Sequence, residues 1–275
     1  TAAERGRLLS RLGRVIENRA ESFALTEARD VGKPLSQARN DVRALARYLE
    51  FYGGAADKLH GETIPYLDGF TVFTLREPHG VTGHIIPWNY PLQIIGRSVV
   101  AALAAGNACV VKPAEEASIG ALAFAELALE VGLPPGALNV VPGTGAGAGA
   151  ALAGHPGVDH VSFTGSLAAG RRVQIAAAAN VRPVTLELGG KSPQIVFADA
   201  DLGAALSFLV NPGIQNAGQS CSAPARILVQ RPLYDQVVAA MGARYDALVA
   251  GPALADRDLG PLISAGRKAA VEVYL

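Results

Sequence analysis

The chain has 275 residues, 24 of them basic and 24 acidic, and half of its residues are apolar. This length suits one large domain or about two ordinary ones. A net charge of zero gives no electrostatic sign of nucleic-acid binding or of attraction to an anionic membrane. The longest apolar stretches end well short of the ~20 residues that span a bilayer. We therefore expect neither a nucleic-acid partner nor a membrane partner.

The two cysteines, Cys109 and Cys221, do not indicate a disulfide framework, because a chain with a core this large does not need one. The five histidines are scattered singly, and no cysteine or histidine spacing is typical of zinc. We therefore expect no metal site. The chain does not open on a cationic leader with an apolar core. These features favour a cytoplasmic enzyme with reduced thiols.

The first fifty or so residues carry apolar side chains at helical spacing, which predicts two or three amphipathic helices with a break at residues 32–34. Residues 62–77 then alternate in polarity around Asp68 and Gly69, which predicts a β-hairpin.

From Gly80 onward, short apolar strands alternate with Ala- and Leu-rich helical segments. The strands are predicted at residues 81–86, 108–111, 138–141, 160–163 and 184–188. This alternation predicts an α/β, Rossmann-like fold, with a mostly parallel sheet covered by helices on both faces. Ligands of such sheets bind at the carboxyl ends of the strands.

A second alternation follows Lys191, and we place a domain boundary near residues 189–190. Strands are predicted at 194–197 and 227–230, with helices from about residue 201 and over 233–249. Two or three strands supply too little core for an independent domain. We therefore expect this part to be a fragment of a second α/β domain, and the chain to be truncated at the C-terminus and at the N-terminus.

Two side chains have the chemistry of a nucleophile and a base. Cys221 lies in a polar, glycine-containing loop before a strand, where substrate can reach it, whereas Cys109 lies in an apolar strand like most lone cysteines. Glu187 ends an apolar strand and precedes two glycines, which suits a general base over a reacting centre. A solvated turn carboxylate is the alternative interpretation for Glu187.

Other strand ends carry polar groups with two possible roles each. Asn89, between two prolines and beside Trp88, is either a helix N-cap or a rigid oxyanion-hole donor. Gly165 and Ser166 open a helix whose free N–H groups attract phosphate, unless Ser166 simply caps it. The segment 112–115 offers a lysine and a carboxylate, or else is a solvated loop.

The glycine-rich segment 143–150 matches the dinucleotide-binding pattern at Gly145, Gly147 and Ala150. A chain with 31 glycines produces such a match easily. The segment also lacks a convincing ribose-binding acid ~20 residues downstream at a strand end. Its specificity as a motif is therefore low.

In this order, the five segments around residues 87–89, 112–115, 163–166, 187–191 and 218–221 resemble the aldehyde dehydrogenase superfamily over essentially the whole chain. The resemblance implies that Cys221 attacks an aldehyde carbonyl to give a thiohemiacetal, which passes hydride to NAD(P). It also implies that Asn89 and the backbone N–H of Cys221 form the oxyanion hole. Glu187 would then activate the water that hydrolyses the thioester.

The resemblance also implies a cofactor site. Lys112 and Glu115 would hold the adenosine ribose, with the pyrophosphate near Ser166. Because a carboxylate bonds a ribose diol but repels a 2′-phosphate, Glu115 favours NAD, with NADP as the alternative. The full set of implied cofactor-binding residues is Lys112, Glu115, Ser166, Gly165, Ile86, Pro87, Trp88 and Gly145.

By the same resemblance, residues 1–61 and 80–190 form an NAD-binding domain, residues 62–79 an oligomerisation hairpin, and residues 191–275 a partial catalytic domain. A homodimer or homotetramer is implied. The family's second functional glutamate lies in a motif that this chain does not reach, so we expect these residues alone to bind NAD poorly and to turn over little.

The substrate residues implied are Arg97 and Tyr90. Succinate-semialdehyde dehydrogenases carry arginine at the position of Arg97, but their usual second arginine is Gln215 here. Arg97 as a surface or interface arginine is the alternative.

Two other functions stay open. One is a CoA-acylating aldehyde dehydrogenase, although such enzymes generally lack the glutamate matched by Glu187. The other is a truncated, non-catalytic member that acts as a binding partner.

Overall fold

Three helices open the chain in the computed structural model, which describes residues 1–274. They are α1 (Ala2–Asn18), α2 (Ala20–Val31) and α3 (Leu35–Ala55). Thr1 and Glu4 form a reciprocal capping box at the start of α1. Gly32 ends α2 in the left-handed conformation, with φ of 86°. The predicted break at residues 32–34 is thus confirmed.

The predicted hairpin is also present. Its strands β1 (Thr63–Ile64) and β2 (Val72–Phe73) pair in antiparallel orientation. Much of its apolar surface is exposed, at Ile64, Tyr66, Leu67, Phe70, Phe73 and Leu75. The role of this hairpin in oligomerisation stays a prediction.

The central sheet has five strands. They are β3 (Val81–Ile85), β4 (Ala108–Lys112), β5 (Leu138–Val140), β6 (His160–Gly165) and β7 (Val184–Leu188). All pairs are parallel, in the order β5-β4-β3-β6-β7. The chain leaves β3 toward one edge and later returns to its other side. The loops after β3 and β6 therefore diverge and leave a crevice at the carboxyl edge.

Helices cover both faces of this sheet, as predicted. Their bounds are α4 (Pro91–Ile94), a π-helical turn (Ile95–Val99), α5 (Val100–Ala105), α6 (Ile119–Val131), a second π-helical turn (Gly145–Gly149), α7 (Ala150–Ala153) and α8 (Leu167–Ala178). One apolar core joins β4 to α1–α3, α5 and α6. A second core joins β3, β6 and β7 to α7 and α8.

A smaller α/β unit follows the central sheet. Its elements are β8 (Ser192–Val196), α9 (Leu202–Ile214), a 3₁₀ turn (Gln215–Gly218), β9 (Pro224–Val229), a 3₁₀ turn (Arg231–Leu233), α10 (Tyr234–Asp246), a 3₁₀ turn (Ala253–Ala255) and α11 (Ala265–Glu272). β8 and β9 pair in parallel. The predicted strands begin two and three residues too late and end one residue too late, because pairing already begins at Ser192 and Pro224.

The small unit has its own core of Val196, Leu209, Val210, Val237 and Met241. Within residues 1–274, no helix combines the length and the apolar composition required to cross a membrane.

Candidate active site

Loops from both α/β units enclose a cleft of about 650 Å³. They follow β3, β6 and β7 and precede β9, so the carboxyl edge of the sheet faces the loop that carries Cys221. Seven of the predicted site residues line this cleft, namely Pro87, Trp88, Asn89, Gly165, Ser166, Glu187 and Cys221.

Cys221 is exposed and follows an unusual turn. Asn216, Ala217 and Gly218 have φ of 50°, 55° and 77°, so three consecutive residues are left-handed. This conformation costs about 1–2 kcal/mol for each residue that is not glycine. Backbone strain of this kind is typical of functional sites, where the surrounding structure holds it in place.

Cys109 is the contrasting thiol. It is fully buried in β4, and burial raises its pKa to about 11. A thiol that keeps its proton at neutral pH is a poor nucleophile. The prediction that Cys109 is a core residue is confirmed.

Asn89 lies half-buried in the loop between β3 and α4. Its side-chain Nδ2 donates to the carbonyl oxygen of Gln219 at 3.0 Å. An amide nitrogen carries two N–H bonds, so one remains for a ligand in the cleft. The N-cap of α4 is Tyr90, followed by Pro91. The alternative interpretation of Asn89 as the helix N-cap is therefore wrong.

Glu187 is the penultimate residue of β7, in register with Thr164 of β6. Its side chain is exposed and lines the cleft that contains Cys221. It also lines a neighbouring cavity of about 430 Å³. Glu187 thus lies between the two cavities and lines both of them.

Arg97 belongs to that neighbouring cavity. It lies on the π-helical turn after α4 and is exposed. The two cavities share only Thr164 and Glu187, so Arg97 lies outside the part of the cleft lined by Cys221. Tyr90 does not line the cleft either, and its hydroxyl is buried without a hydrogen-bond partner.

Lys112 and Glu115 form a separate polar group at the end of β4. Lys112 Nζ lies 2.9 Å from Glu115 Oε2, and the backbone N–H of Gly145 donates to Glu115 Oε1 at 2.6 Å. Partial burial disfavours the carboxylate charge, yet the hydrogen bonds from Lys112 and Gly145 outweigh it and lower the pKa of Glu115. The Glu115 carboxylate is therefore ionised at neutral pH. Gly145 belongs to the glycine-rich segment whose motif has low specificity, and its hydrogen bond to Glu115 places it beside Lys112 and Glu115.

Ser166 is the N-cap of α8, and its Oγ accepts from the backbone N–H of Ala169 at 3.2 Å. The capped helix start therefore lies at the edge of the cleft, beside Gly165. The side chain of Ile86 is buried in the core, whereas its neighbours Pro87 and Trp88 line the cleft. Ile86 itself does not line the cleft, and its backbone N–H donates to the carbonyl oxygen of Lys112 at 3.0 Å.

Several cleft residues carried no recognised signal in the sequence. Arg267 of α11 lies 5.6 Å from the Trp88 ring, and Gln219 accepts the Asn89 hydrogen bond. Because Gln219 precedes Cys221 by only two residues, its position near Cys221 could be inferred from the sequence. Arg267 gave no such signal, because it lies on an exposed amphipathic helix far along the chain.

No cluster of three or more potential metal ligands occurs in the described part of the chain.

Comparison with known proteins gives a consistent result. A sequence model described as "Aldehyde dehydrogenase family" matches residues 1–275. Hydroxyisobutyraldehyde dehydrogenase of Mycolicibacterium austroafricanum is 44% identical over 275 residues, which are 100% of this chain and 55% of that protein. Retinal dehydrogenase 2 of Mus musculus is 45% identical over 239 residues, 86% of this chain and 46% of that protein.

Solved structures agree. A proposed aldehyde dehydrogenase from Burkholderia cenocepacia is 62% identical, with a TM-score of 0.99 over 100% of this chain and 58% of that chain. A betaine aldehyde dehydrogenase variant from Staphylococcus aureus, in complex with NAD+, is 37% identical, with a TM-score of 0.97 over 100% of this chain and 55% of that chain. The chain spans about half the length of the curated relatives that it matches. The match over all 275 residues nevertheless shows that the chain belongs to the aldehyde dehydrogenase family.

Proposed function

We propose that the protein containing this chain oxidises aldehydes to carboxylic acids with NAD+, and that Cys221 is its nucleophile. The observation that carries the proposal is one cleft lined by the exposed thiol of Cys221, the amide of Asn89 and the carboxylate of Glu187. Acyl transfer needs these three groups. The names of the relatives, and the NAD+ in one solved structure, support the same reaction.

In the first step, Cys221 as thiolate adds to the aldehyde carbon, so that a C–S bond forms and the carbonyl oxygen becomes an oxyanion. The second N–H of Asn89, which is not engaged by Gln219, would donate to that oxyanion. Removal of one such donor typically lowers kcat by about 10²–10³-fold.

NAD+, when bound, supplies the acceptor for the hydride that leaves the tetrahedral carbon. Cys221 then holds the acyl group as a thioester. Glu187 takes a proton from a water molecule, whose oxygen attacks the thioester carbon, and the C–S bond breaks to release the acid and the thiolate. The exposure of Glu187 to the neighbouring cavity gives its proton a way out that does not pass Cys221.

The groups at the carboxyl edge of the sheet fit a dinucleotide. Lys112 and Glu115 offer an ammonium and a carboxylate for a ribose diol, and Glu115 disfavours a 2′-phosphate. Ser166 and the start of α8 offer backbone N–H groups for a pyrophosphate. Pro87 and Trp88 line the path from there to Cys221. We therefore favour NAD over NADP.

Arg97 is a candidate substrate residue, because it lines the neighbouring cavity that Glu187 also lines. If it binds a substrate carboxylate, Arg97→Ala should lower kcat/KM for ω-carboxylated aldehydes far more than for neutral ones. Equal losses for both classes would contradict this role.

The exposed apolar hairpin at residues 62–79 supports assembly into a homodimer or homotetramer. A cytoplasmic location is proposed only because both cysteines, Cys109 and Cys221, are free thiols.

The test of the catalytic assignment compares the two thiols and the base in the protein that contains this chain. Cys221→Ala should abolish aldehyde-dependent NADH formation, and Cys109→Ala, the matched control, should retain it. Glu187→Gln should give one burst of NADH per active site followed by slow turnover, because the thioester forms but is not hydrolysed. Full activity of Cys221→Ala, or release of an acyl-CoA instead of the acid, would overturn the proposal.

A further inference from the structure

Two side chains of α3 contact the two loops that carry the reacting groups. Gln37 Oε1 accepts from the backbone N–H of Asn216 at 2.8 Å, and Asp41 Oδ1 accepts from Gln93 Nε2 at 2.6 Å. Gln37 and Asp41 are four residues apart, so they lie on one face of the helix, one turn from each other. Asn216 begins the turn that leads to Cys221, and Gln93 lies in α4, directly after the Asn89 loop.

The loop held by Gln37 is the strained one. Asn216 and Ala217 are both left-handed, and Asn216 is 1% exposed. A buried backbone N–H without a partner is strongly unfavourable, so the bond to Gln37 favours this conformation over its alternatives. The direction in which Cys221 leaves the turn therefore depends on a contact with α3.

The two loops are also bonded to each other. Asn216 Nδ2 donates to the backbone oxygen of Asn89 at 3.2 Å, and Asn89 Nδ2 donates to the backbone oxygen of Gln219 at 3.0 Å. These bonds cross between the two α/β units. A shift of Asn216 would therefore move both the backbone of Asn89 and the orientation of its side-chain amide.

A buried charge cluster of Lys33, Glu27 and Asp41 fixes the position of Asp41. Lys33 Nζ is bonded to Asp41 Oδ2 and to Glu27 Oε1, the latter at 2.9 Å, and all three side chains are buried. The ammonium also lies 4.2 Å from the centre of the Tyr90 ring, next to Asn89 in the chain. The face of an aromatic ring attracts an ammonium group, and more strongly when the ammonium is desolvated. The Asn89 loop thus rests on a charged group with a fixed position.

We propose that Gln37 and Asp41 are positioning residues, which set the separation between the Cys221 thiol and the oxyanion-hole amide of Asn89. Neither touches the reacting atoms. This inference rests on the proposed function. Because a hydrogen bond of this type contributes about 1 kcal/mol net, loss of the Gln37 contact should weaken the stabilisation of the thiohemiacetal about five- to tenfold.

The experiment needs no turnover, since it measures how well an aldehyde protects Cys221 from alkylation. Iodoacetamide labels the exposed thiol of Cys221, and propionaldehyde, the probe, competes by forming the thiohemiacetal. Gln37→Ala should require about five- to tenfold more aldehyde for half-protection. Its alkylation rate without aldehyde should stay within about twofold of wild type.

Three further variants make the result specific. Gln37→Glu keeps an acceptor oxygen and should restore most of the protection, which a general loss of packing would not allow. Asn40→Ala, on the exposed face of the same helix, should protect like wild type. Gln93→Leu breaks the contact to Asp41 and should weaken protection in the same direction, which gives an independent variant if Gln37→Ala does not fold.

The outcomes separate the two proposals. If propionaldehyde does not protect wild-type Cys221 at all, the proposed function fails and the positioning role falls with it. If wild type is protected but Gln37→Ala and Gln93→Leu are protected equally well, only the positioning role is overturned. The same holds if Gln37→Glu behaves like Gln37→Ala.

Discussion

The two α/β units differ in how completely they cover their apolar side chains. In the first unit, Leu12 of α1 and Leu45 of α3 are fully buried in the apolar core. In the second, Ile195 and Leu228 on its two strands remain 62% and 54% exposed. Cys221, the proposed nucleophile, lies in the loop that precedes β9 of this second unit. The turn before Cys221 is hydrogen-bonded to α3 of the first unit, through Gln37 and the backbone N–H of Asn216.

The largest difference between the units should appear on removal of a buried charge. Lys33→Met leaves the carboxylates of Glu27 and Asp41 buried without their counter-ion, which typically costs about 3–5 kcal/mol. The matched change Lys268→Met removes an exposed lysine of the second unit, 3.6 Å from Glu272, and should change stability by less than about 0.5 kcal/mol. Urea unfolding followed by circular dichroism measures both, and similar losses would refute the contrast.

Truncation of apolar side chains should show the same contrast at somewhat smaller size. Leu45→Ala removes a fully buried side chain and should cost about 2–5 kcal/mol, since a cavity remains in a closely packed core. Leu228→Ala removes a side chain that is already half in solvent and should cost less than about 1 kcal/mol. If urea unfolding gave equal losses, the exposed face of β9 would have to be packed in solution.

The sequence was sufficient for the sheet and for the residues at its carboxyl edge. Apolar runs between turn residues mark the five strands, and Asn89 and Glu187 follow from the rule that ligands bind at strand ends. The contact from Gln37 to Asn216 was not predictable, because 179 positions separate the two residues and neither carries a local signal. The strained turn was not predicted either, because Ala217 at its centre is a type that disfavours left-handed backbone, although Asn216 and Gly218 on either side tolerate it.

The arrangement around Lys33 also makes the first unit sensitive to pH. Burial raises the pKa of Glu27 to about 7, with Lys33 opposing and Asp41 adding to the shift. The unfolded chain releases this proton near the ordinary value of 4.5, so between those values the folded state binds more protons. The free energy of unfolding should therefore fall as pH rises from about 4.5 to about 7, and change little from this group above pH 7.

Urea unfolding at intervals between about pH 4 and pH 8 measures this loss, and Glu27→Gln is the control. An amide does not titrate, so the variant should lose less stability than wild type over the same range. Parallel pH profiles for wild type and variant would exclude Glu27 as the source.

The smallest effect concerns α11, the exposed helix that places Arg267 beside Trp88. Ser264 caps this helix by accepting from the backbone N–H of Arg267 at 3.2 Å. Ser264→Ala should destabilise the helix by about 1 kcal/mol. Because α11 has no buried residues, the helix should fray locally while the midpoint of global unfolding changes little. Trp88 is the only tryptophan, so its fluorescence reports the loss of the Arg267 contact directly, and Arg267→Ala gives the reference spectrum. A fall in global stability as large as that of Leu45→Ala would mean that the second unit is held together as firmly as the first.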